Sequence, residues 1–137
     1  LNTFRLIESV DSVKALEHIH KRVDQPVEVF IEVNIAEESG KTGFSVEGLK
    51  RAIPYITGLG KVNIAGLMAI PPYFENTEKV RPYFARLRGL RDEIQRQAVA
   101  NMPVHHLSMG MSHDYEVAVE EGATLVRIGT ALFGRRK

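Results

Sequence analysis

Residues 107–134 read LSMGMSHDYEVAVEEGATLVRIGTALFG, and this stretch decides the fold. It holds two strand-to-turn transitions, 107–112 and 125–130, each passing from apolar residues into small or hydroxyl-bearing ones where a helix can begin. A helix N-terminus exposes unpaired N–H groups and about half a positive charge, so two such ends side by side form a cup suited to phosphate. Ser112 and Thr130 add hydroxyls, Gly129 lets the backbone come close, and Met111 stands at the strand end beside Ser112. Acids at Asp114 and Glu116 support a plainer reading, in which Ser112 only caps a helix and Gly129 only turns the chain. Arg127 shares a strand face with Leu125. A charge in an apolar strand needs a partner, either a carboxylate such as Glu32 or an acceptor atom on a ligand.

Upstream of this stretch, strands and helices alternate. A short apolar start at 4–7 has strand character, and Asp11 or Ser12 can cap a helix carrying Val13, Leu16, Ile19, His20 and Val23 on one face. Residues 27–35, VEVFIEVNI, are rich in β-branched side chains and mark a strand buried on both sides, with Glu28 and Glu32 as interruptions. Ser45 opens a second helix with Leu49, Ala52, Ile53 and Ile56 inward, and 62–70 form a third strand ended by Pro71-Pro72. A long helix is expected over 77–98, where Pro82 removes one backbone bond if the helix starts that early. Strand 104–109, helix 115–121 ended by Gly122, strand 125–128 and a last helix from 130–134 complete the series.

Such alternation means parallel strands joined by right-handed crossovers, in a doubly wound open sheet or a (β/α) barrel. A complete barrel takes about 250 residues, rarely under 200. The ligand signals come late, where barrels commonly hold a phosphate, after the seventh and eighth strands. The expected fold is therefore a (β/α)8 TIM-type barrel of the α/β class, represented by about strands 4 to 8. Residues 1–137 would form the C-terminal part of a single barrel domain whose first βα units are absent.

The 137 residues carry 18 basic and 17 acidic side chains, a net charge of +1, which offers no field for nucleic acid or a membrane surface. No apolar run approaches the roughly 20 residues needed to cross a bilayer. The start, LNTFRLIESVDS, lacks the pattern of a signal peptide, and cysteine is absent, which excludes disulfides and thiolate chemistry and fits a cytoplasmic protein. Asn34 sits at a strand end on the side where barrels carry their chemistry, followed by a polar loop with Lys41, and Met68 with the Pro71-Pro72-Tyr73 turn can wall a pocket there. His18 and His20 lack metal-ligand spacing, and the adjacent His105 and His106 point to opposite faces, so no metal site is expected. No nucleophile–histidine–acid set can be assembled, and no catalytic residue is assigned.

The 107–134 block resembles the C-terminal signature of the pyridoxal-phosphate homeostasis (proline-synthase co-transcribed) family, relatives of the alanine racemase N-terminal barrel. EVNIAEESGKTGF at 32–44 and GLMAIPPY at 66–73 resemble its middle blocks in the expected order. The resemblance implies a barrel that binds pyridoxal 5′-phosphate (PLP) at its mouth. Ser112 would donate to the phosphate, the backbone N–H groups of Gly129 and Thr130 would complete the cup, and Arg127 would face the pyridine nitrogen. Apart from the resemblance, Asn34 and Met111 are further candidates for cofactor binding, from their places at strand ends. The family's Schiff-base lysine belongs to a first-strand block resembling AVSK, which has no match here. None of Lys14, Lys21, Lys41, Lys50, Lys61, Lys79 and Lys137 lies in such a context.

The resemblance further implies an intracellular PLP carrier and not an enzyme. PLP chemistry draws electrons into a protonated ring, and arginine stays charged and can only donate, so it leaves the ring a weak electron sink. A racemase-like enzyme, which needs two acid–base groups, and a barrel for another phosphorylated metabolite stand as the alternatives. The expected partner is the small-molecule cofactor. The complete protein is expected to be monomeric, and a piece of it is expected to associate through open strand edges.

Overall fold

The structure, a computed structural model, describes residues 3–134. Lys137, one of the seven lysines considered above, lies outside them. Five strands form one parallel sheet in the order β1-β2-β3-β4-β5: β1 (Leu6–Val10), β2 (Val27–Glu32), β3 (Val62–Met68), β4 (His106–Met111) and β5 (Leu125–Arg127). Between them run α1 (Val13–Arg22), α2 (Val46–Ile56), α3 (Arg81–Arg96) and α4 (Tyr115–Glu120), with α5 (Thr130–Phe133) after β5. A doubly wound sheet reverses its strand order part-way. Here the order simply follows the chain, as an arc of a (β/α) barrel requires.

The packing agrees. Val29, Ile31, Ile64, Leu67, Leu107 and Met109 of the strands form one core with Leu16, Leu49, Ile56, Phe84, Leu87, Ile94 and Ala118 of the helices. The opposite, inner face of the sheet carries a separate small cluster, Phe30, Ala65 and Met68, flanked by Leu6 and Leu125. Each strand therefore presents one face to helices and the other toward the barrel axis.

Local chemistry explains the element ends. Ser12 and Ser45 cap α1 and α2, accepting from Ala15 N at 3.3 Å and Gly48 N at 3.0 Å. The long helix expected over 77–98 is split. A 3-10 turn, Thr77–Val80, comes first, so Pro82 falls in the first turn of α3, where a missing N–H breaks no helical bond. The first strand runs from Leu6 to Val10 and not over 4–7, because Ser9 at φ 61° makes a bulge that hides its alternation. The second strand stops at Glu32, beyond which only Val33 bridges to Phe44. The fourth begins and ends two residues later than expected, at His106 and Met111.

Helices α3 and α4 are tied by charge: Arg81 reaches Glu120 at 2.6 Å and Glu121 at 3.0 Å, and Arg88 reaches Glu121 at 2.7 Å. No helix of the described residues is long and apolar enough to cross a membrane. Among the described residues β1 pairs only with β2 and β5 only with β4, and Val119 on α4 and Leu132 and Phe133 on α5, the helices on either side of β5 in the chain, are exposed. Unpaired edges with apolar neighbours recruit further strands. The isolated 137-residue chain should therefore associate in solution, and light scattering that gives a monodisperse 15.4 kDa monomer would contradict this.

Candidate functional site

The site is built at the C-terminal ends of β3, β4 and β5. Strand β4 slips register against β5 between Ser108 and Met111, and Gly110 sits in that slip at φ 90°. A Cβ added there would meet Ala118 Cβ at 2.5 Å and Tyr115 Cα at 3.1 Å, so only glycine lets α4 pack this close. The bulge brings Ser112 over the start of α5. There Ser112 Oγ accepts from Gly129 N at 3.0 Å and from Ala131 N at 3.1 Å. With both lone pairs engaged, the hydroxyl proton is the one polar element of Ser112 left to point outward, as a donor.

The structure thus brings Ser112, Gly129 and Thr130 together, with one change from expectation. The Gly129 N–H, anticipated as an open donor, is directed to Ser112 Oγ. Asp114 turns back on its own loop and accepts from Met111 N at 2.7 Å, so its carboxylate is tied down beside the cup. Tyr73 and His113 form the lip, with ring centroids 4.8 Å apart, and His113 Nε2 lies 2.9 Å from the Phe74 carbonyl. A cavity of about 340 Å3 is lined by Tyr73, Ser112, His113, Thr130 and Ala131.

Arg127 is the register partner of Met111, so it lies beside the strand end that leads into Ser112. Its Nη1 donates to Ser108 Oγ at 2.6 Å and its Nη2 to the Ala69 carbonyl at 3.0 Å. Ser108, which is fully buried, donates in turn to Glu8 Oε2 at 3.2 Å. Burial pulls the Arg127 guanidinium below its ordinary pKa, and the charges of Glu8, Glu32 and Asp114 oppose that. An arginine still remains cationic at any physiological pH. Glu32, the carboxylate considered as its partner, instead accepts from Thr42 Oγ1 at 3.0 Å and acts on Arg127 through space.

Two expected members stand apart from the cup. Both ends of the Asn34 amide bond the Glu38 backbone, at 2.8 and 3.1 Å, which closes the loop and leaves little to offer a ligand. Met111 is 40% exposed at the mouth, and its polar contacts there are backbone ones, its N–H donating to Asp114 Oδ1 and its carbonyl accepting from Asp114 N. Lys41 pairs with Glu38 at 2.6 Å. Of the adjacent histidines, His106 stacks on Phe30 of the inner face and His105 meets Gln95 on α3, so they do point apart. Ser108, Glu8 and the Ala69 carbonyl were not anticipated. The available signal was a lone hydroxyl in the apolar strand next to the one that carries the arginine.

The model of the alanine racemase N-terminal domain family matches residues 3–137. A pyridoxal phosphate homeostasis protein from Aquifex aeolicus is 53% identical over 135 residues, 96% of this chain. The chain belongs to this family. Its homeostasis relatives also include one from Pseudomonas aeruginosa, 38% identical over 97% of the chain. The chain spans 58% and 56% of the lengths of these two relatives. Among solved structures, PipY of Synechococcus elongatus without PLP superposes with a TM-score of 0.86 at 34% identity, over 96% of this chain and 62% of PipY. PipY with PLP bound gives 0.82 at 33% identity, over 96% and 61%. Alanine racemase from Corynebacterium glutamicum, at 11% identity and a TM-score of 0.70 over 95% of this chain and 36% of its own, shares the fold. The family relatives are named for homeostasis and not for a reaction.

For this family member, Gly110→Ala should lower stability by about 1–3 kcal/mol, since it forces a side chain into a positive-φ position as well as a clash. Chemical denaturation checks this; a midpoint equal to wild type would show that α4 can yield without cost.

Proposed function

We propose that this chain supplies the phosphate-gripping and ring-nitrogen-facing side of a PLP site, in a protein that holds and hands on PLP and does not catalyse strongly. The observation that carries this reading is Arg127: a guanidinium withdrawn from water, pinned by Ser108 and Ala69, at the strand end beside Ser112. PLP bound to the related PipY supports it. So does the donor set, since Ser112 keeps an outward hydroxyl proton next to the first turn of α5.

When bound, PLP supplies a reactive aldehyde and an electron-withdrawing ring. This chain's residues bind and orient it. Ser112 Oγ–H and the Thr130 backbone N–H donate to phosphate oxygens, while Tyr73 and His113 screen the cup from one side. Arg127, which has no acceptor atom, can only donate, so it suits a ring nitrogen without a proton. That choice withholds the strong electron sink that amino-acid chemistry needs, which fits a carrier. The covalent lysine that the family resemblance implies belongs to a block this sequence does not match, and a chain carrying that block would combine the lysine with the residues described here.

The test is titration of the chain with PLP, followed by difference absorbance and by equilibrium dialysis. Binding should weaken about ten- to a hundredfold on Arg127→Ala, the loss of a hydrogen bond from a charged donor, and phosphate should compete where pyridoxal alone competes poorly. Equal affinity for PLP and for unrelated sugar phosphates favours a barrel for another metabolite. Borohydride reduction with peptide mapping should find no stoichiometric adduct on a lysine of these 137 residues. Robust exchange of the α-proton of alanine by the complete protein would overturn the carrier reading in favour of a racemase-like enzyme.

A further inference from the structure

The inner face of the sheet carries a chain of polar contacts that the phosphate cup does not use. It runs from Glu8 on β1 to Ser108 on β4, then to Arg127 on β5, and ends at the Ala69 carbonyl just past β3. The direction of each bond is settled by chemistry. Arginine has no acceptor, so Ser108 Oγ must accept from Nη1 at 2.6 Å. The single Ser108 proton is then free for the Glu8 carboxylate, 3.2 Å away. Ser108 is fully buried, so water does not supply these partners in its place.

We propose that Ser108 is a positioning residue, which holds Arg127 in the plane from which it donates to the ring nitrogen of PLP; this rests on the reading given above. Holding both terminal nitrogens at two separate points fixes the guanidinium plane, which a single contact would not do. The restraint matters because Glu8, Glu32 and Asp114 all attract Arg127. Freed of Ser108, the arginine would be drawn to those carboxylates and away from the ring. Ser108 lies on β4 and Ser112 follows directly after its last residue, so the course of β4 sets both the arginine anchor and the phosphate grip.

The test has one arm without ligand and one with it. In the first, side-chain 15N NMR of the unliganded chain should resolve separate Arg127 Nη signals, as slow rotation demands. Ser108→Ala should merge them, and Ser108→Thr, which keeps the hydroxyl, should separate them again. Should Ser108→Ala fail to fold, Glu8→Ala removes the acceptor of the Ser108 proton and should broaden the same signals. In the second arm, PLP labelled with 15N in the ring is bound to wild type, Ser108→Ala and Arg127→Gln. Ser108→Ala should move the ring 15N shift toward that of Arg127→Gln, leave the 31P shift of the phosphate in place, and weaken PLP about tenfold.

Unchanged Nη signals in Ser108→Ala, together with a wild-type ring shift, would overturn the positioning role while leaving the PLP reading intact. A ring shift that ignores Arg127→Gln would instead defeat the ring-nitrogen reading. The Nη comparison would still decide whether Ser108 holds the arginine. A role in folding alone would lower the melting temperature but move neither nitrogen signal selectively.

Discussion

A cation drawn partly out of water organises the inner face of this sheet. An isolated buried charge is costly, and its position persists only if hydrogen bonds and opposite charges replace the lost solvent. Arg127 obtains these from three other strands: the carbonyl after β3, the hydroxyl on β4, and the field of carboxylates that includes Glu8 on β1. Satisfying the guanidinium thus cross-links four of the five strands on a side where helices give no support. The inner face, which in such folds is dominated by apolar side chains, carries this polar chain beside its apolar cluster of Phe30, Ala65 and Met68.

The parts of the molecule that obey local rules were legible in the sequence. Ser12 and Ser45 cap helices, Gly122 ends α4 at φ 92°, and the β-branched run from Val27 forms a strand, while the third strand ends at Met68, two residues short of the expected 70. Ser112, Gly129 and Thr130 converge because two strand ends in adjacent βα units must be neighbours. What stayed hidden depends on register and distance. Ser108 and Glu8 meet across 100 residues of sequence. Bulges at Ser9 and Gly110 each break the two-residue alternation by which a face is inferred. Asn34 resembled a ligand group because of where its strand ends, yet an asparagine amide can equally bond the backbone a few residues on, and here it closes that loop.

The relatives establish kinship and fold. Identity of 53% to a homeostasis protein over nearly the whole chain fixes kinship, and superposition on PipY fixes the path of the backbone. Alanine racemase at 11% identity shares that path and nothing more specific. The distinction between a carrier and an enzyme therefore returns to the residues. On the proposed reading, a donor-only group beside the ring, held by a serine, would grip the cofactor without strongly activating it.

The cup stands on the least supported unit of the fold. Strand β5 is three residues long, and α5 has four residues and no buried side chain. Among the described residues β5 pairs only with β4, and as the terminal strand of the sheet it is the first to open. The two bonds that Ser112 accepts are among the few that couple it to β4. Any ligand seated in the cup binds the closed form of this unit and not the open one, so it must raise the unit's stability by mass action. Occupancy and local folding at this end of the chain are one equilibrium, and release of the ligand is eased by fraying of the element that holds it.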